Sequence, residues 1–195
     1  MTIKGKFICT VALASIGLWG GSAVYGRQTA NASNSTMNKS SDATFAKRAD
    51  QADLAEVKMG ELAQQKAANP AVKQFGERMV TDHSKANTEL KQAAAKDNIT
   101  LPTSMTAKDQ ATYDKLSKLS GSQFDRQYIK DQVSDHEKVI SEFQKEADES
   151  GNSNIKNFAS QTLPTLQEHL KLARQADQQV MAKYSAADKN GKAAE

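Results

Sequence analysis

The chain has one cysteine, three prolines, ten glycines and one tryptophan among 195 residues, and aromatic side chains make up 6% of it. A single cysteine, Cys9, cannot close an intramolecular disulfide, so a stable domain here has to be held by packing. No cysteine pair precedes a histidine, which excludes c-type haem attachment. The scarcity of glycine, proline and β-branched runs excludes collagen-like repeats and argues against a barrel or sandwich. Glycine-rich phosphate loops and a Ser/His/Asp nucleophile arrangement are also missing. The net charge of +3 is carried by Lys4, Lys6 and Arg27, because no acidic residue precedes Asp42. Residues 28–195 are formally neutral, so the basic footprint of a nucleic-acid binder is absent and no nucleic-acid partner is expected.

What is present starts with a leader. Lys4 and Lys6 precede an apolar stretch from Phe7 to Trp19 and then the small residues Gly20, Gly21, Ser22 and Ala23, the grammar of a Sec-type signal peptide. Cleavage after Ala23, Gly26 or Ala32 fits equally. The run without charge between Lys6 and Arg27 is also long enough to span a bilayer, so an uncleaved anchor facing the periplasm is the alternative. Either way the protein is expected in the periplasm, with membrane contact through the leader alone. We divide the chain into a leader over 1–26, a small, polar, disordered linker over 27–42, one domain over 43–183 and a disordered tail over 184–195.

Apolar residues spaced three and four apart predict four long helices within that domain. The first, about 42–68, carries Phe45, Ala49, Ala52, Met59 and Ala63 and stops at Asn69-Pro70. The second, about 70–97, carries Val72, Phe75, Met79, Ala86, Leu90 and Ala93. A short helix from Thr106 to Leu119 comes next, opened by a capping-box-like Thr106 and Asp109. The third long helix, about 122–150, carries Ile129, Val133, Ile140, Phe143 and Ala147, with Asp125 expected to complete a capping box led by Ser122. The fourth, about 153–183, carries Ile155, Ala159, Thr162, Leu166, Ala173, Ala176 and Val180, and Pro164 should kink it.

Tight turns at Asn69-Pro70 and Gly151-Asn152 make two helical hairpins, and residues 98–121 are long enough to run back along a bundle of roughly 40 Å. The expected fold is therefore all-α: a ferritin-like four-helix bundle of two hairpins with a long crossover containing a short helix. MVTDH at 79–83 echoes QVSDH at 132–136, and VKQF at 72–75 echoes IKNF at 155–158, which suggests a duplicated hairpin.

Chemistry enters where polar residues interrupt the stripes. Glu56, His83, His136 and His169 each fall on the core face of a different helix, and distances from the two turns place them at one level. Three imidazoles and a carboxylate in a bundle core form a candidate site for one divalent metal ion, whether zinc, copper, iron, nickel or manganese. Asp82, Asp135 and Glu168 precede the histidines and are placed to orient a neighbouring imidazole. The residues three before the histidines are Val80, Val133 and Leu166, so the Glu-x-x-His pairs of dinuclear carboxylate bundles are missing. A haem held non-covalently by two of the histidines is the other cofactor reading.

The segments AEVKMGELAQQKAANPAVKQFGERMVTDH (55–83), LSGSQFDRQY (119–128), VSDH (133–136) and LPTLQEHL (163–170) resemble the bacterial family called domain of unknown function 4142. The resemblance covers nearly all of 43–180. It implies an exported ferritin-like bundle, of a kind often labelled an outer-membrane or membrane protein, and implies no reaction. Its recurrent polar positions correspond here to Glu56, Asp82, His83, Asp125, Tyr128, His136 and His169. Barrel strands of alternating hydrophobicity are not seen.

These features leave two function classes. One is a metal-holding envelope protein, for buffering or stress protection; the other is a non-enzymatic interaction or pH-responsive protein whose Glu/His cluster is a buried polar layer. No catalytic residue is assigned and no protein partner is named.

Overall fold

The computed structural model describes residues 25–149 and 153–191, with side chains at 39, 41–149 and 153–185. The leader expected over 1–26, with Cys9, lies outside the described residues except for 25 and 26, and so does the Gly151-Asn152 turn. The chain divides into two compact units, Met1–Ser35 and Thr36–Glu195, and the helical bundle is built by the second.

Five helices are formed: α1 (Tyr25–Lys66), α2 (Pro70–Lys96), α3 (Ala107–Ser117), α4 (Gly121–Asp148) and α5 (Asn154–Gly191). No strand occurs among the described residues, and none of their helices is long and apolar enough to cross a membrane. Helix α1 begins well before Asp42 and takes in the residues read as a disordered linker. They offer no apolar face, but they contain no proline or glycine, and an existing helix gains one hydrogen bond per residue as it lengthens. Helix α5 runs on through Pro164 and past Lys183 to Gly191, into the residues read as a tail.

Neighbouring helices run antiparallel. Asp53 meets His83 and Asp50 meets Asn87 between α1 and α2. Between α4 and α5 the pairs are Phe143 with Phe158 and Glu137 with Arg174. Between α2 and α5 they are Asp97 with Asn154 and Asp82 with His169. Between α1 and α4 they are Phe45 with Phe143 and Glu56 with Gln132. Helices α2 and α4 therefore point the same way across the diagonal, so the segment holding α3 has to return the length of the bundle. This is the one-crossover, two-hairpin connectivity expected from the sequence.

Each end of the bundle is tied by a carboxylate. Asp97, which caps the C-terminus of α2, accepts from the backbone N–H groups of Asn154 (3.0 Å) and Ile155 (3.3 Å), so the end of one hairpin caps the start of the last helix. At the other end Asp125, fully buried, accepts from the N–H groups of Ala68 (3.1 Å) and Asn69 (2.9 Å) and from the Tyr184 hydroxyl (2.6 Å). The capping box expected of Ser122 and Asp125 is thus not formed. Ser120 is the N-cap of α4, Ser122 lies inside its first turn, and Asp125 faces the α1–α2 turn. The Thr106 cap of α3 is formed: its Oγ1 accepts from the Asp109 N–H at 3.1 Å.

Gly60 and Gly76 let α1 and α2 approach closely. A Cβ on Gly76 would stand 2.8 Å from the Gly60 carbonyl oxygen and 2.8 Å from the Ala63 Cβ, neither of which can swing aside. Helix propensity alone would make Gly76→Ala stabilising by about 1 kcal/mol. We expect the opposite, a loss of about 1–3 kcal/mol from overpacking, read as a lower thermal midpoint. A raised midpoint would show that the helices are not in backbone contact there.

Two apolar clusters fill the core. One is built around Met59, Phe75, Met79, Phe124 and Tyr128, the other around Phe45, Leu90, Phe143, Phe158 and Leu166. Buried polar groups lie between them.

Candidate metal centre

That polar layer contains all three histidines of the chain, from α2, α4 and α5. His83, His136 and His169 are 5%, 2% and 1% exposed, and their ring centroids are 6.0, 5.3 and 5.4 Å apart. One ring nitrogen from each lies within 4.8 Å of the other two.

One nitrogen of each ring is already engaged. His83 Nδ1 is 2.8 Å from Asp53 Oδ1, His136 Nδ1 is 3.0 Å from the Gln132 carbonyl oxygen, and His169 Nε2 is 2.8 Å from Asp82 Oδ2. A carboxylate and a carbonyl oxygen only accept, so each engaged nitrogen has to carry the proton. In the neutral ring the remaining nitrogen is then a bare lone pair. Those nitrogens, His83 Nε2, His136 Nε2 and His169 Nδ1, have no hydrogen-bond partner among the described residues. With all three rings neutral, the cluster therefore holds three acceptors that no described donor meets. Holding one imidazole nitrogen through a hydrogen bond while the other faces a metal is the usual arrangement around bound ions.

Glu56 is 8% exposed and lies beside this cluster rather than in it. Its Oε2 accepts from Gln132 Nε2 at 2.7 Å, and with Asp53, His83 and His136 it lines a cavity of about 20 Å³ walled by Ala49, Ala52, Val139, Phe143 and Leu166. The reading of the sequence misses Asp53 and Gln132. Asp50, Asp53 and Glu56 recur every third residue on the inner face of α1, and that spacing is the signal that could have found Asp53. Of the three acidic residues preceding the histidines, Asp82 does orient a ring, that of His169. Asp135 and Glu168 instead meet Lys138 and Lys171 at the surface.

Electrostatics separates the three imidazoles. Burial opposes a charge on His83, but the Asp53 hydrogen bond and the charges of Asp53, Glu56 and Asp82 outweigh it and raise its pKa. Burial, with the charge of His83 and then of His169, pushes His136 down to about 3. Burial, opposed by the Asp82 hydrogen bond and reinforced by His83, pushes His169 down to about 4. Burial also raises Asp53 and Glu56. It opposes ionisation of Asp82 as well, but hydrogen bonds from His169 and Arg78 prevail and lower that carboxyl. Charge is thus favoured on His83 and disfavoured on the other two rings.

This has a pH signature. An unfolded histidine protonates near 6.5, so between that pH and about 4 the unfolded chain binds more protons at His136 and His169 than the folded chain does. Their contribution to stability is complete above pH 6.5 and is lost as pH falls toward the folded values. His83 acts oppositely, contributing below 6.5 and losing its contribution as pH rises through its raised value. In the metal-free protein, ring ¹⁵N shifts should show His136 and His169 neutral from pH 8 down to 5. Protonation of either near 6.5 would contradict the geometry.

Fold and site together define a class: an all-α bundle whose core holds a three-histidine cluster. The chain belongs to the family described as Domain of unknown function (DUF4142), whose model matches residues 27–176 and so includes all three histidines, Glu56, Asp53 and Asp82. No curated protein and no solved structure gives a significant match.

Proposed function

We propose that this protein holds one divalent metal ion in its core through His83, His136 and His169, as a metal-buffering or stress-protective component of the cell envelope. The observation that carries this reading is that three buried imidazoles bring ring nitrogens within 4.8 Å of one another, while one nitrogen of each meets an acceptor and the other has no partner among the described residues. Neutral nitrogen ligands suit zinc, copper, iron or nickel. Asp53 and Asp82 lend negative charge through the rings, and Glu56 adds a buried carboxyl within the same layer. The cavity beside the cluster exceeds the roughly 10–15 Å³ that one water requires. It therefore has room for a water-sized further ligand and none for a bulky substrate, which favours holding a metal over turnover of a metabolite. The leader of basic, apolar and small residues supports export, with the ion met in the periplasm.

The test is the metal content of untagged protein purified from the periplasm, beside His136→Ala. Near-stoichiometric metal in the wild type and its loss in the variant are the expected results. A wild type that is empty and resists reconstitution would make the histidines a polar layer and favour the interaction-protein reading.

A further inference from the structure

At the end of the bundle capped by Asp97, far along α1 and α4 from the histidines, Asp42, Glu146 and Glu149 bring carboxylate oxygens within 4.8 Å of one another. Glu146 is 3% exposed, and its Oε1 is buried without a hydrogen-bond partner among the described residues. Glu146 is hydrogen-bonded to Asp42. Burial first, and then the charges of Asp42 and Glu149, push Glu146 up to about 7. The position compounds the cost. Glu146 lies in the last turn of α4 and Glu149 is its C-cap, where the helix dipole disfavours anions and favours cations.

Among the described residues, no basic side chain forms an ion pair with the cluster's carboxylates. Arg48 pairs with Glu142 at 3.6 Å, and Lys156 donates to the Glu149 carbonyl oxygen. Ser41 Oγ donates to Glu149 Oε1 at 3.2 Å and adds a fourth oxygen. A solvent-open cavity of about 260 Å³, lined by Ser41, Phe45, Arg48, Glu142, Lys145, Glu146 and Glu149, reaches the cluster and has room for water ligands.

We propose that Asp42, Glu146 and Glu149 form a second cation site, selective for calcium, in which the ion lies among the three carboxylates and meets the unpartnered Glu146 oxygen. Calcium accepts six to eight oxygen ligands in irregular geometry, which carboxylates from two helices, a hydroxyl and waters can supply; magnesium requires a stricter octahedron. The ligand set contains no nitrogen, so the site is chemically independent of the histidine cluster. Affinity should be on the order of 10⁻⁴–10⁻³ M, that of calcium sites in extracellular modules.

The experiment is a calcium titration of the chelator-treated full-length protein, followed by thermal midpoint and by calorimetry, with magnesium chloride and with sodium chloride at matched ionic strength as controls. At a hundredfold excess over Kd the wild-type midpoint should rise by roughly 5–10 °C. The Glu146→Gln variant keeps the shape and removes the buried charge, so it should fold and lose the calcium response. Glu149→Gln should weaken the response, and His136→Ala should leave it intact. A calcium response no larger than that to sodium chloride, or one unchanged in Glu146→Gln, would overturn the proposal.

Discussion

Zinc added in thousandfold excess over its Kd should raise the unfolding midpoint of the metal-free protein by roughly 10 °C. The figure comes from linkage, since such an excess stabilises the folded state by about 4 kcal/mol and each kcal/mol moves a domain of this size by about 2–4 °C. His136→Ala should abolish the shift, and the choice of that histidine matters. His83→Ala would strand the Asp53 carboxylate in the core, and His169→Ala would remove a bond that holds Asp82. His136 leans on the Gln132 backbone carbonyl, so its removal orphans no charge. A stability loss in the metal-free variant is separable from the loss of metal response, because the prediction concerns the difference between the two midpoints. An equal zinc response in wild type and variant would place the metal elsewhere.

Asp125→Ala should be the most damaging substitution outside that layer. One fully buried carboxylate satisfies two backbone N–H groups at the α1–α2 turn and the hydroxyl of Tyr184 on α5, and thereby fixes three helices to α4. Bonds to a charged acceptor contribute about 1.5–3 kcal/mol each and are not additive, so a total of about 4 kcal/mol is expected. Calorimetry should show a midpoint roughly 10 °C lower. Tyr184→Phe removes one neutral donor and should cost about 1 kcal/mol. A second readout reports the same contact. Burial and the Asp125 hydrogen bond raise Tyr184 to about 12, so its ultraviolet titration should move back toward 10 in Asp125→Ala. An Asp125→Ala protein as stable as wild type would mean that the turn is held by other means.

Much of this architecture is legible in the sequence. The α2 stripe from Val72 to Ala93 and the α5 stripe from Ile155 to Val180 are buried where period 3.6 places them. The shared level of the histidines comes from their distances to the two turns. Side-chain pairing across the hairpin is less accessible. Counting symmetrically from Asn69-Pro70 sets Glu56 opposite His83, whereas His83 faces Asp53, one helical turn earlier. The difference arises at the turn, where α1 stops at Lys66 and α2 starts at Pro70, so that the hairpin is centred on Ala68, as the close Gly60–Gly76 contact also requires. Gln132 carries no signal, since a glutamine on a helix otherwise rich in polar residues is ordinarily exposed. The repeat misleads in one respect. A duplicated hairpin relates α2 to α5, as VKQF and IKNF do, but MVTDH and QVSDH relate α2 to α4 and cannot belong to the same duplication. The extent of α1 and α5 is hidden because helix continuation in polar, alanine-containing sequence leaves no amphipathic pattern.

The most direct test of the central claim is an anomalous difference map from crystals of the full-length protein grown with zinc. The account predicts one peak in the bundle core, about 2.0–2.1 Å from His83 Nε2, His136 Nε2 and His169 Nδ1, with Asp53 and Asp82 still bonded to the far side of their rings. A core without a peak, or a peak bound through the nitrogens that face Asp53, Gln132 and Asp82, would contradict it.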